Sequence, residues 1–180
     1  FGTGELIVSS GGNVKTSSVF VGRHSGSNGV VIVEGESSQW DNDGSVLIGY
    51  ENGSEGRVMI ANGGSITNTT GNIAYLAGSI GTVIVDGKWC SWVNSGDLTV
   101  GNSGEGTLSI INGGSVSNRS GYLGSREGSN GTILVDGEGS KWSNSSDLYI
   151  GNRGSGNLSI IDGGLVTSNY GIISGQPNSN

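Results

Sequence analysis

The sequence predicts an all-β fold: a right-handed parallel β-helix of about seven three-strand rungs, without long inserted loops. Three observations carry that expectation. Gly-Gly pairs recur at Gly11-Gly12, Gly63-Gly64, Gly113-Gly114 and Gly163-Gly164, at spacings of 52, 50 and 50 residues. Trp40, Trp92 and Trp142, and the triplets Val33-Glu34-Gly35, Val85-Asp86-Gly87 and Val135-Asp136-Gly137, keep the same period. The halves of each unit also match, Leu108 and Ile110 with Ile133 and Val135, Val116 with Trp142, and Asn118 with Asn144, so the true unit is about 25 residues. Each unit holds three short runs of apolar/polar alternation, which is strand periodicity, and none holds a helical stripe. Three strands per short repeat describe a β-solenoid. A propeller blade needs four antiparallel strands and no half-unit similarity, and a leucine-rich repeat needs a helical segment. The expected rungs span 4–28, 29–55, 56–80, 81–105, 106–130, 131–155 and 156–176, one domain about 34 Å long at the spacing of hydrogen-bonded strands.

Composition fits this reading once position is considered. Of 180 residues, 37 are Gly, 30 Ser and 18 Asn, a mixture that without a period would suggest a linker. The 44 Leu, Ile, Val and Phe residues and the single Pro argue for a packed chain instead. Net charge is −7 and the eight basic residues are scattered, so no phosphate-tracking groove for nucleic acid is expected. No apolar run approaches the length of a membrane span. One Cys excludes an internal disulfide, and one His excludes a His-based metal cluster within the chain. No cofactor is expected.

Taken in order, the first strand of each rung points a pair of aliphatic residues inward, from Leu6 and Val8 through Val58 and Ile60 to Leu158 and Ile160. The second strand alternates aliphatic and Trp: Val14, Trp40, Ile66, Trp92, Val116, Trp142, Val166. The third contributes pairs such as Leu98 and Val100, and ends on Gly22, Gly49, Gly101, Gly124 or Gly151, where positive φ and close rung approach favour a residue without Cβ. Asn42, Asn68, Asn94, Asn118 and Asn144 share one column, which suggests a ladder of stacked amides. Asn68, Asn118 and Asn144 also sit in N-x-[ST], so glycosylation is the rival reading. Glu34, Asn62, Asp86, Asn112, Asp136 and Asp162 precede the turn glycines as a column of turn-forming side chains. Calcium is the rival there, but acids on alternate rungs lie too far apart to share an ion.

The pattern GTLSI–NGG–V–N–LG–GTxxVDG–W–N–DLxIG resembles the roughly 50-residue repeat of bacterial autotransporter (type V secretion) passenger domains. The resemblance covers essentially the whole chain. It implies a right-handed β-helix exported through an outer-membrane barrel and displayed at, or released from, the bacterial surface. The chain starts and ends in mid-pattern, so it reads as a fragment of a longer passenger. The implied partner is a host cell-surface protein or glycan, or another passenger.

Enzymatic chemistry is not expected, because short, nearly constant corners build no cleft. Cys90 aligns with Ser38 and Ser140 and reads as a lone exposed thiol. Binding is read from residues that break the repeat. Tyr50 and Tyr75 occupy corners where other rungs carry Arg23, Asn102, Ser125 and Asn152, and Leu76 follows where an equivalent unit has Arg126. Trp89 replaces Ser37 and Gly139 at another corner. Outward third-strand positions hold Phe20, Leu47, Tyr122, Tyr149 and Ile172, and outward first-strand positions hold Ile7, Ile32, Met59, Ile84 and Leu134. Aligned columns would make these contiguous apolar stripes, and such patches often mark interaction sites. Strand propensity alone is the rival explanation. The leading expectation is adhesion through the rod surface; a released growth-factor-like ligand for a host receptor and a purely structural stalk are the alternatives.

Overall fold

The computed structural model describes residues 1–174, so residues 175–176 of the last expected rung lie outside it. Seven rungs of three strands follow one another. They are Thr3–Val8, Asn13–Thr16 and Val19–Val21; Asn28–Glu34, Gln39–Asn42 and Ser45–Ile48; Glu55–Ala61, Ser65–Asn68 and Thr70–Ile73; Ile80–Asp86, Ser91–Asn94 and Leu98–Val100; Glu105–Ile111, Ser115–Asn118 and Gly121–Leu123; Asn130–Asp136, Lys141–Asn144 and Leu148–Ile150; Ser155–Ile161, Leu165–Thr167 and Gly171–Ile173. Equivalent strands of successive rungs pair in parallel, giving three seven-stranded sheets around one core, with no helix among the described residues. Each first strand from the second rung on begins one residue before the expected boundary.

The inward columns of the interior rungs pack as the alternation requires, whereas Ile160 in the last described rung is 47% exposed. Trp40, Val83, Leu108, Ile133 and Trp142 are all fully buried. The indoles fit because the rung below each of the later two makes room. A Cβ on Gly71 would come within 2.8 Å of the Trp92 ring, and one on Gly121 within 2.5 Å of the Trp142 ring. Those two glycines stand where neighbouring rungs place Val46, Leu98 and Leu148 in the third strand's inward column. Large and small thus alternate between sheets as well as along one.

Corner chemistry repeats too. Gly49 ends its strand at φ 70°, and a Cβ there would lie 2.1 Å from the carbonyl oxygen of Ile80. The third rung departs from this rule, with buried Ala74 at φ 60°. The acid column is corrected by the register. Asp86 pairs with Ala61 on one side and Ile111 on the other. Glu34, Asp86 and Asp136 therefore alternate with Ala61, Ile111 and Ile161, while Asn62, Asn112 and Asp162 sit one residue further on, in tighter three-residue turns at φ 52°, 54° and 49°. The misreading arose because the first corner alternates between two lengths. No group of three or more potential metal ligands occurs among the described residues.

Candidate functional site

The Asn column lies inside the rod, with Asn42, Asn68, Asn94, Asn118 and Asn144 all buried. Its amides do not form one continuous ladder. Asn68 Nδ2 donates to Asn94 Oδ1 at 2.7 Å, and Asn118 Nδ2 to Asn144 Oδ1 at 2.7 Å. Between those pairs the chain of bonds passes through backbone: Asn94 Nδ2 donates to the Ser117 carbonyl. Each pair also receives an indole. Trp92 Nε1 donates to Asn68 Oδ1 at 2.6 Å and Trp142 Nε1 to Asn118 Oδ1 at 2.7 Å, while Trp40 Nε1 uses Thr16 Oγ1. From Trp92 to Asn144 the Asn and Trp columns thus form one network, which the sequence lists as two; Asn42 lies outside it, accepting from Thr16 Oγ1 with its own Nδ2 unpartnered. Buried in this way, the three N-x-[ST] asparagines offer no acceptor to a glycosylating enzyme in the folded state.

Cys90 is buried rather than exposed. Its sulfur accepts from Gly63 N–H at 3.2 Å and donates to the Asp86 carbonyl at 3.0 Å. Ser38 and Ser140 hold the tighter turn of the adjacent rung by the same bond, accepting from Gly11 and Gly113. Burial pushes the Cys90 thiol pKa up, with the nearby Asp86 charge adding and the bonds from Gly63 and Gly64 opposing.

The repeat-breaking aromatics come together at the third corner. The Tyr50 and Tyr75 rings stack at 5.3 Å, 16° from parallel. Phe20 meets Tyr50 edge-on at 4.8 Å, and the Arg23 guanidinium covers Phe20 at 4.6 Å. The result is a row of three rings on the first three rungs, continued by Leu76, which is 40% exposed. Edge-on and stacked pairs of this spacing are mutually stabilising, so the rings hold one another in place on the ridge.

The expected third-strand stripe is not contiguous. Register places Asn72 and Thr99 between Leu47 and Tyr122. Tyr122 and Tyr149 form a separate stacked pair at 4.8 Å, beside Arg119, which grips Asp97 through two bonds of 2.9 Å. The first-strand stripe holds over Ile7, Ile32, Met59 and Ile84 and then breaks at Ser109 before Leu134.

Trp89 stands alone, 85% exposed and at φ 71°. Ser37 and Gly139 share that left-handed conformation at 63° and 84°. A bulky side chain there is unfavourable by about 1–2 kcal/mol, and such outliers cluster at functional positions. The sequence marks Trp89 as unusual but cannot give its backbone angle.

The expectation of nearly constant corners is also corrected. The third corner has six residues in rungs one, two, three and five (22–27, 49–54, 74–79, 124–129) but four in rungs four and six (101–104, 151–154). The long corners of the first three rungs therefore project as one ridge, carrying the Tyr50–Tyr75 stack, and the ridge drops sharply at rung four. No protein-family model, curated protein or solved structure matches the chain.

Proposed function

We propose that this chain is part of an exported, autotransporter-type passenger that binds a host cell-surface protein or glycan through the corner ridge of its first three rungs. The observation that carries the reading is the convergence of Phe20, Tyr50, Tyr75 and Leu76 on one projecting edge. Fold stability does not require tyrosines at positions 50 and 75, because equivalent corners use Asn102, Ser125 and Asn152. Aromatic residues already held in place lose little side-chain entropy on binding, which is why they anchor interfaces.

The test is the double variant Tyr50→Ser/Tyr75→Asn, which restores residue types the repeat itself uses. Purified wild-type and variant chains are compared for binding to cultured host cells, with circular dichroism to verify the β-helix. Adhesion through the ridge requires a clear loss with the fold intact. Unchanged binding by the variant points to another surface, and absence of binding by both leaves the stalk as the better reading. Signalling triggered by the purified chain would favour a released ligand over an adhesin.

A further inference from the structure

We propose that the step where the ridge ends is a slot for one extended, positively charged peptide segment of the partner. This rests on the ridge being the binding surface. The short corner 101–104 leaves a notch between the long corners of the third and fifth rungs, lined by Gly78, Ser79, Ile80, Ser103, Gly104 and Gly128, with Glu105. Two rung spacings separate its walls, about 10 Å, so a single extended chain fills it.

The backbone supports the same conclusion. Along the ridge, Gly26 N–H donates to the Gly53 carbonyl and Gly53 N–H to the Gly78 carbonyl, each at 2.9 Å. The series stops at the notch: among the described residues neither the Gly78 N–H nor the Gly128 carbonyl is hydrogen-bonded. Gly78 and Gly128 share φ 75°, so they are equivalent corner positions with the intervening one missing. A guest strand lying parallel to the rungs supplies it. Its carbonyl accepts from Gly78 and its N–H donates to the Gly128 carbonyl, which is strand addition at a corner. The floor is firm, since Asn102 Nδ2 donates to the Tyr75 carbonyl at 2.8 Å and a Cβ on Gly104 would lie 2.4 Å from the Ser79 carbonyl oxygen.

Side chains define the guest. Ile80 is 43% exposed in the wall of the notch. Ile80 pairs in register with Glu105, the one charged residue among those lining the notch. A carboxylate beside an exposed apolar side chain complements a peptide with Lys or Arg next to an apolar residue. It disfavours a second copy of this chain, whose net charge is −7.

The experiment fills the slot with the protein's own corner. Residues 102–104 are replaced by Ser-Arg-Glu-Gly-Ser, copied from residues 125–129, so that rung four gains a six-residue corner. In the filled variant, amide exchange at Gly78 should slow to the rate of Gly53, which verifies that the corner has docked. A phage-displayed library of short random peptides is then selected on the wild-type chain. The expected outcome is enrichment of Lys- or Arg-bearing peptides that slow exchange at Gly78 and bind the filled variant at least about tenfold more weakly, the scale of losing two hydrogen bonds. Failure to enrich any peptide, or equal binding to the filled variant, overturns the slot. Cell binding separates the two ideas. Loss in Tyr50→Ser/Tyr75→Asn with retention in the filled variant removes the slot and leaves the ridge, whereas retention in both removes the ridge.

Discussion

Replacing Asn118 by Ala tests whether the Asn and Trp columns act as one buried network. The substitution deletes the acceptor for Trp142 Nε1 and the donor to Asn144 Oδ1. Trp142 is 0% exposed and Asn144 5%, so neither orphan finds water without opening the rung. Each stranded buried polar group is unfavourable by about 1–3 kcal/mol, so the variant should lose about 2–6 kcal/mol. A surface Asn would lose no more than about 0.5 kcal/mol. Urea denaturation measures the difference, and amide exchange should locate the weakening to rungs five and six, because solenoid stability is a sum of local terms. Trp142→Phe removes the stranded indole N–H. In the double variant part of the loss should therefore disappear, with a coupling of about 1–2 kcal/mol. A single-variant loss under about 0.5 kcal/mol, or no coupling, would refute the network and return Asn118 to the list of accessible glycosylation sites.

Three further outcomes follow from other corners. Cys90→Ser should be nearly neutral and Cys90→Val should lose about 1–3 kcal/mol, because only Val strands the Gly63 N–H; a thiol reagent at mildly alkaline pH should label the native protein only as fast as it opens, and immediate labelling would contradict burial. Hydrogen bonding from Arg119, helped by Ser120 N–H and the Arg119 charge against the opposing effect of burial, holds the Asp97 carboxyl below its usual pKa. A carboxylate depressed in the folded state adds stability above its unfolded pKa of about 4 and loses it as pH falls through the lower folded value. The stability gap between wild type and Arg119→Ala, read by urea titration at a series of pH values, should therefore narrow below about pH 4, and a gap constant into strong acid would contradict the pairing. Trp89→Gly should raise stability by about 1 kcal/mol through relief of the left-handed backbone, and a loss in thermal or urea stability would mean that the ring packs more than its exposure indicates.

The fold was legible because stacking converts sequence period directly into structure. Val83, Trp92 and Leu98 face inward for the same reason as their equivalents one rung away, and the alternation of side chains exposes that reason in the chain itself. Register within corners was not legible. Asp86 and Asn112 look equivalent when each is counted back from its glycine, yet they sit one residue apart, because an Asp-Gly corner of four residues alternates with an Asn-Gly-Gly corner of three. Cys90 was misjudged for the same cause: a corner residue is exposed by default, and only the neighbouring rung's Gly63 shows what its side chain is for. Among the candidate site residues, the proximity of Tyr50 and Tyr75 could be read from equal positions on successive rungs. Phe20 joins them from a different column, through contact that alignment does not encode.

The distribution of irregularity carries a functional argument of its own. Inward positions are constrained on every side by the rungs above and below, so change there is confined to exchanges such as the Trp142–Gly121 pairing. Solvent-facing corner positions, unlike Gly49 or Cys90, can vary at little energetic consequence, but random variation would scatter polar residues along the rod. Instead Ala74 at φ 60° and Trp89 at φ 71° occupy left-handed positions that other rungs give mostly to Gly or Ser. Ala74 immediately precedes Tyr75 and Leu76 on the ridge, and the corner that follows on the next rung is two residues shorter. A strained backbone, exposed large side chains and a change in corner length thus coincide within two adjacent rungs. Those at the third corner, Ala74 with Tyr75 and the shortened corner 101–104, support the contact surface proposed for the ridge, whereas Trp89 lies at the first corner.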